Sequence, residues 1–211
     1  MLSPNRRHLY SNKLPCKKPA LFLDRDGVLI EDKNYLSRPE EVQLCPGARA
    51  LLEIAFAREW PVVVITNQSG ISRGYFDWET YDHVTDHLLE LLGSSAPLSA
   101  IYANGHGPDA APTSWRKPSP AMLQAAAAEL QLDLTRSLLI GDRLSDLEAG
   151  AQAGLSWLAH VQTGHGQREL PAIQHWISKK QMKFEGNSHF ELALLDSLLD
   201  FPFDRLVSLN E

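Results

Sequence analysis

Two aspartates one residue apart, Asp24 and Asp26, follow the apolar run Leu21–Leu23 and precede Gly27. Carboxylates this close repel each other unless a cation or a shared proton relieves them. The pair therefore points to a divalent metal, to a nucleophile with an acid/base partner, or to both. Three more polar clusters border apolar or helical stretches. Thr66-Asn67-Gln68-Ser69-Gly70-Ile71 ends a β-branched run, Arg116-Lys117-Pro118 precedes an alanine-rich stretch, and Gly141-Asp142 closes another apolar run, with Asp146 four residues on.

Together these residue types fit phosphoryl transfer. A carboxylate can attack phosphorus and form an aspartyl-phosphate, which divides one hard step into two. A second acid protonates the leaving oxygen and later activates water. Mg²⁺ prefers carboxylates, substrate oxygens and water, and it screens an anionic nucleophile from an anionic substrate. A hydroxyl and an ammonium can hold the remaining phosphoryl oxygens as charge redistributes.

The elements that must position these groups are legible as alternating patterns. Strand-like runs cover 20–23, 62–65, 99–103, 138–140 and 156–160; helical spacing covers 47–58, 77–92, 118–130 and 145–153. Asp77 is an N-cap residue and Gly154 a C′ glycine. This alternation predicts an α/β fold, a Rossmann-like three-layer sandwich with a mainly parallel central sheet. In such a sheet the carboxyl ends of the strands share one edge, so groups far apart in sequence converge there.

The two ends differ from this middle. Residues 1–18 carry Arg6, Arg7, Lys13, Lys17 and Lys18 and no acidic residue, which reads as a draped basic extension. Residues 19–178 form the domain. In 179–211, Ser188-x-x-Glu191 has capping-box spacing, and Phe190, Leu194, Leu195, Leu198 and Leu199 make an apolar stripe. The expectation is a C-terminal amphipathic helix after a loop at 179–188.

The 211 residues carry a net charge of −6, with 44% hydrophobic and 22% charged residues. That argues against a nucleic-acid surface. No apolar run approaches the roughly 20 residues of a membrane span. Only Cys16 and Cys45 occur, which excludes a disulfide scaffold and fits a reducing cytoplasm. The expected partner is a small phosphorylated metabolite, and a monomer is allowed. His165 and most other histidines lack ligand spacing, and Tyr75, Phe76 and Trp78 read as packing at a helix start.

The four motifs, in order and spacing, resemble those of the haloacid dehalogenase (HAD) phosphatase superfamily. The Thr-Asn-Gln-Ser-Gly-Ile string and Arg-Lys-Pro resemble its branch without a large cap domain, which holds heptose-bisphosphate and histidinol-phosphate phosphatases. The resemblance covers about residues 20–170. It implies Asp24 as nucleophile and Asp26 as general acid/base. Mg²⁺ would sit on Asp24, Asp142 and the backbone carbonyl of Asp26, and Thr66 and Lys117 would hold the phosphoryl group. Asp32, Lys33, Asn34, Tyr35, Asn67, Gln68, Ser69, Arg116 and Arg143 would contact substrate, and Asp146 reads as a helix-start carboxylate. Heptose 1,7-bisphosphate is the first expected substrate and histidinol phosphate the alternative. A non-catalytic phosphate sensor would require a damaged constellation, and none is visible.

One departure stands out. Members of this branch often carry a zinc loop with Cys-x-His and then Cys-x-Cys just before Arg-Lys-Pro. Here Asn104, Thr113 and Trp115 occupy cysteine positions, and only His106 remains. One histidine does not hold structural zinc, so no zinc is expected. Packing of Trp115, or a tight turn, is expected to position Arg116 instead.

Overall fold

The computed structural model of this protein describes residues 4–11, 17–183 and 190–207. Seven strands form one sheet: β1 (Asn5–Leu9), β2 (Leu21–Leu23), β3 (Val62–Asn67), β4 (Ala100–Asn104), β5 (Leu138–Gly141), β6 (Trp157–Val161) and β7 (Glu191–Leu195). Their order is β1-β4-β3-β2-β5-β6-β7. All neighbours are parallel except β1, which runs antiparallel to β4.

The side-chain period of two sends alternate residues of each strand to opposite faces. Leu21, Leu23, Val62 and Val64 face one core, beneath α1 (Ala48–Ala57) and α2 (Trp78–Leu92). Phe22, Val63 and Ile65 face the other, beneath α3 (Ala121–Leu130), α4 (Leu144–Ala153) and α5 (Gly166–Lys183). Burial on both faces explains why the central strands read as continuous apolar runs. The Asp77 carboxylate accepts from the Thr80 N–H, and Gly154 closes α4 at φ 81°.

The ends of the chain depart from expectation. Residues 5–9 are not a draped extension but the edge strand β1, with Arg6 and His8 paired to Asp82 and Arg7 to Glu129. The C-terminal segment holds no amphipathic helix among its described residues. Glu191–Leu195 is strand β7, followed by a short 3₁₀ turn at Leu198–Asp200. Phe190 and Leu192 reach one core while Ala193, Leu195 and Leu198 reach the other, so a strand followed by a turn buries more of this stretch than one helical stripe would. Ser188 of the expected capping box lies outside the described residues. Residues 179–183, expected in a loop, complete α5. That helix passes through Pro171, carried by Ile173, Trp176 and Ile177 packing on the second core. Among the described residues, no helix is long and apolar enough to cross a membrane.

Candidate active site

The strand ends converge as a parallel sheet requires. β2 is hydrogen-bonded on one side to β3 and on the other to β5, in register at Leu21↔Val62 and Leu21↔Leu138. Asp24 and Asp26 at the end of β2 therefore lie between Thr66 on β3 and Asp142 after β5. A cavity of about 550 Å³ opens over this edge.

Its floor is a buried acidic cluster. Asp24, Asp142 and Asp146 each offer an oxygen, and these oxygens lie within 4.8 Å of one another. Lys117 Nζ lies 2.9 Å from Asp24 Oδ1 and 2.6 Å from Asp146 Oδ1, and it donates to the Ile65 carbonyl at 2.9 Å. Burial works against the ammonium, yet Asp146 and Asp24 outweigh it and hold Lys117 protonated beyond its ordinary range. One ammonium does not neutralise three carboxylates. Burial, and then the neighbouring carboxylates, push Asp24 up to about 7 and Asp142 up to about 8.

The cluster fits a hard divalent cation. Asp142 Oδ2 accepts from the His165 N–H at 2.7 Å, while Oδ1 is buried with no hydrogen-bond partner. The bonds to Asp24 from the Arg25 N–H and Lys117 both fall on Oδ1. Gly27 and Gly164 wrap the Asp142 carboxylate so closely that a Cβ on either would meet Oδ2 at 2.5 Å. Oxygen-only donors with an unpartnered buried oxygen are what Mg²⁺ accepts. Asp146 is more constrained: its Oδ2 accepts from the Arg143 N–H at 3.0 Å and caps α4.

Asp26 faces the cavity on a different footing. Its carboxylate accepts from Arg25 Nε and Nη2 at 3.1 and 3.0 Å and from Gln68 Nε2 at 2.8 Å. Arg25 is buried, with its guanidinium 5.1 Å from the centre of the Tyr81 ring. Thr66 Oγ1 accepts from Gln68 Nε2 at 2.8 Å.

Most residues expected to contact substrate line the cavity: Asp32, Asn34, Tyr35, Asn67, Gln68, Ser69, Arg116 and Arg143. One expected residue is absent from the lining, and two that line it are also held by neighbours. Lys33 does not line it, because its ammonium pairs with Glu31 at 2.7 Å and reaches Gln43. The side chain of Gln68 is buried and fully engaged by Asp26, Thr66 and Arg25. The Asn67 amide spans the Lys117 backbone, accepting from its N–H at 3.1 Å and donating to its carbonyl at 3.2 Å. Asn67 thus fixes the lysine rather than reaching freely into the cavity.

Arg25, Arg73 and His165 line the cavity and were missed. Arg25 lay inside the acidic motif itself, so position was the available signal there, whereas His165 was read as a histidine without ligand spacing. His165 Nε2 lies 2.8 Å from Asp32 Oδ2, tying two loops together at the rim. Arg73 sits over the Tyr35 ring at 5.8 Å, and Tyr75 meets Tyr35 edge-on rather than packing inward. Burial, then the positive charges of Arg73 and Arg143, lower the Arg116 pKa. Three guanidiniums therefore share the outer cavity.

The loop before Arg116 is held by polar contacts. The Asn104 amide donates to the His106 carbonyl at 3.4 Å and accepts from the His106 N–H at 3.3 Å. The same carbonyl accepts from Arg116 Nη1 at 3.1 Å. Trp115 packs on Tyr102, with ring centroids 5.4 Å apart.

Comparison with known proteins agrees with this geometry. A family profile described as HAD-hydrolase-like matches residues 114–178. A D-glycero-beta-D-manno-heptose-1,7-bisphosphate 7-phosphatase from Mesorhizobium japonicum is 44% identical over 169 residues, covering 74% of this chain and 78% of that protein. The D-glycero-alpha-D-manno-heptose-1,7-bisphosphate 7-phosphatase of Campylobacter jejuni is 38% identical, covering 69% and 83%. A D,D-heptose 1,7-bisphosphate phosphatase structure from B. bronchiseptica, complexed with magnesium and phosphate, aligns at TM-score 0.70 and 31% identity, covering 85% and 93%. With its parallel sheet and acidic edge, the chain belongs to the heptose-bisphosphate phosphatase family of HAD-like hydrolases.

Proposed function

We propose that this enzyme removes the 7-phosphate of D-glycero-D-manno-heptose 1,7-bisphosphate, using Mg²⁺ and an aspartyl-phosphate on Asp24. The observation that carries the reading is the two-pole charge of one cavity. A carboxylate–lysine floor stands at one pole and the guanidiniums of Arg73, Arg116 and Arg143 at the other. A bisphosphate uses both poles, whereas histidinol phosphate carries one phosphate. Both alpha- and beta-named relatives match the chain, so either anomer is a fitting substrate.

Asp24, Asp142 and the backbone carbonyl of Asp26 would hold Mg²⁺, which when bound screens substrate charge from the nucleophile. Asp24 attacks phosphorus, and the bond from phosphorus to the sugar oxygen breaks. Asp26 gives its proton to that oxygen. Lys117 and the Thr66 hydroxyl hold phosphoryl oxygens through the displacement. Water then attacks the aspartyl-phosphate, Asp26 takes its proton, and Asp24 is restored as phosphate leaves.

The test is kcat/KM for both heptose bisphosphate anomers and for histidinol phosphate, with Mg²⁺ and with chelator. The expected preference for the better heptose anomer is at least about tenfold, the scale of one lost charge-assisted contact set. Equal or reversed preference would remove the heptose assignment. Full turnover in chelator would remove the metal.

A further inference from the structure

We infer that Gln68 is a positioning residue that couples the proton carrier Asp26 to the phosphoryl-binding Thr66, and is not a substrate contact. The inference rests on the roles proposed above for Asp26 and Thr66.

Hydrogen-bond chemistry sets the orientation of the Gln68 amide. Arg25 Nη2 lies 3.1 Å from Oε1, and a guanidinium only donates, so the carbonyl end must face it. The amide nitrogen then faces the other way, with one hydrogen to Asp26 Oδ2 and one to Thr66 Oγ1, each at 2.8 Å. Each hydrogen of the amide nitrogen is used, and the residue is 5% exposed. Nothing on this nitrogen remains for a ligand.

Two consequences follow. Thr66 Oγ1 is made an acceptor by Gln68, so its own hydrogen is left to donate to a phosphoryl oxygen. Asp26 Oδ2 accepts from both Arg25 Nε and Gln68, whereas Oδ1 accepts from Arg25 Nη2 alone. Oδ1 keeps the freer lone pair and is the oxygen that moves the proton. The amide thus sets the hydroxyl direction and the carboxylate rotation at once.

The test compares Gln68→Met and Gln68→Glu with the wild type on heptose bisphosphate and on glycerol 2-phosphate, a small alkyl monoester without the sugar ring. Gln68→Met keeps the length and removes the network. Gln68→Glu keeps the acceptor for Arg25 and removes both donations. Each is expected to lower kcat about 30-fold on both substrates, part of the 10²–10⁴ attributed to general acid–base work, with KM changed less than about threefold. Thermal melts in Mg²⁺ separate this from unfolding, because a purely structural role would lower the melting temperature without a selective loss of kcat. A KM rise confined to heptose bisphosphate would make Gln68 a substrate contact and overturn the inference, as would unchanged kcat in a folded Gln68→Glu. Failure of the substrate reading would appear in the wild type's own preference, not in these variant-to-wild-type ratios.

Discussion

Lys117 and Asp146 meet at 2.6 Å with their side chains 2% and 1% exposed, and the same ammonium lies 2.9 Å from Asp24. Among the described residues the lysine is the one cation paired within the acidic floor, so it stabilises the fold as well as the reaction. Lys117→Met is expected to abolish turnover and to destabilise the protein at pH 8.5 by about 3–5 kcal/mol, the usual result of stripping one partner from a buried pair. The loss should shrink near pH 6, where Asp24 and Asp142 take up protons. Chemical denaturation at the two pH values checks this; an equal loss at both would separate the lysine from the charge of the cluster.

Asp24→Asn is expected to reduce kcat by at least about 10⁴-fold, since an amide oxygen does not form the acyl-phosphate. The fold should survive, because the substitution removes one of three crowded charges. The melting temperature without metal at pH 8.5 should match or exceed that of the wild type. Retained turnover would contradict the covalent mechanism.

Stability without metal should fall as pH rises. Asp24 is held up at about 7 and Asp142 at about 8, against 3.8 for an ordinary aspartate. Between about pH 4 and 8 the folded state thus binds more protons than the unfolded chain, and linkage makes stability decline through that window. This contribution is complete below pH 4 and gone above about pH 8. Added Mg²⁺ competes with those protons, so its thermal upshift should be larger at pH 8.5 than at pH 6. Melting temperatures in chelator that stay level or rise from pH 6 to 8.5, and are unaltered in Asp142→Asn, would count against the cluster.

Asn104→Ala is expected to loosen the His106 carbonyl that receives Arg116. KM for heptose bisphosphate should rise several-fold, about 1 kcal/mol for one neutral hydrogen bond, with kcat nearly unchanged. A selective loss of kcat would mean that the loop acts on the chemistry instead.

The middle of this chain was legible because its strands are buried on both faces. Runs such as Val62–Ile65 have no reading but a central strand or a short helix, and the β-branched content decides. Asp24, Thr66, Lys117 and Asp142 could be brought together because a parallel sheet gathers its strand ends. The edges were opaque for the opposite reason. Asn5–Leu9 has no apolar signature; its strand comes from pairing with β4 and from acidic partners on α2 and α3. α5 was hidden by Pro171, whose cost is outweighed by tertiary packing. At the site, residue type alone did not tell whether a polar side chain faces the ligand or a neighbour. Lys33, Asn67 and Gln68 all face neighbours.

The antiparallel strand β1 lies outside the stretch that carries the family's motifs, yet it occupies the hydrogen-bonding edge of β4. Without it that edge would present a row of free backbone donors and acceptors to other chains. Strand β1 moves the open edge of the sheet from Ala100–Asn104 to the five residues Asn5–Leu9, where Arg6 and Arg7 put charge on a short edge and so make it a poor template for pairing with other chains.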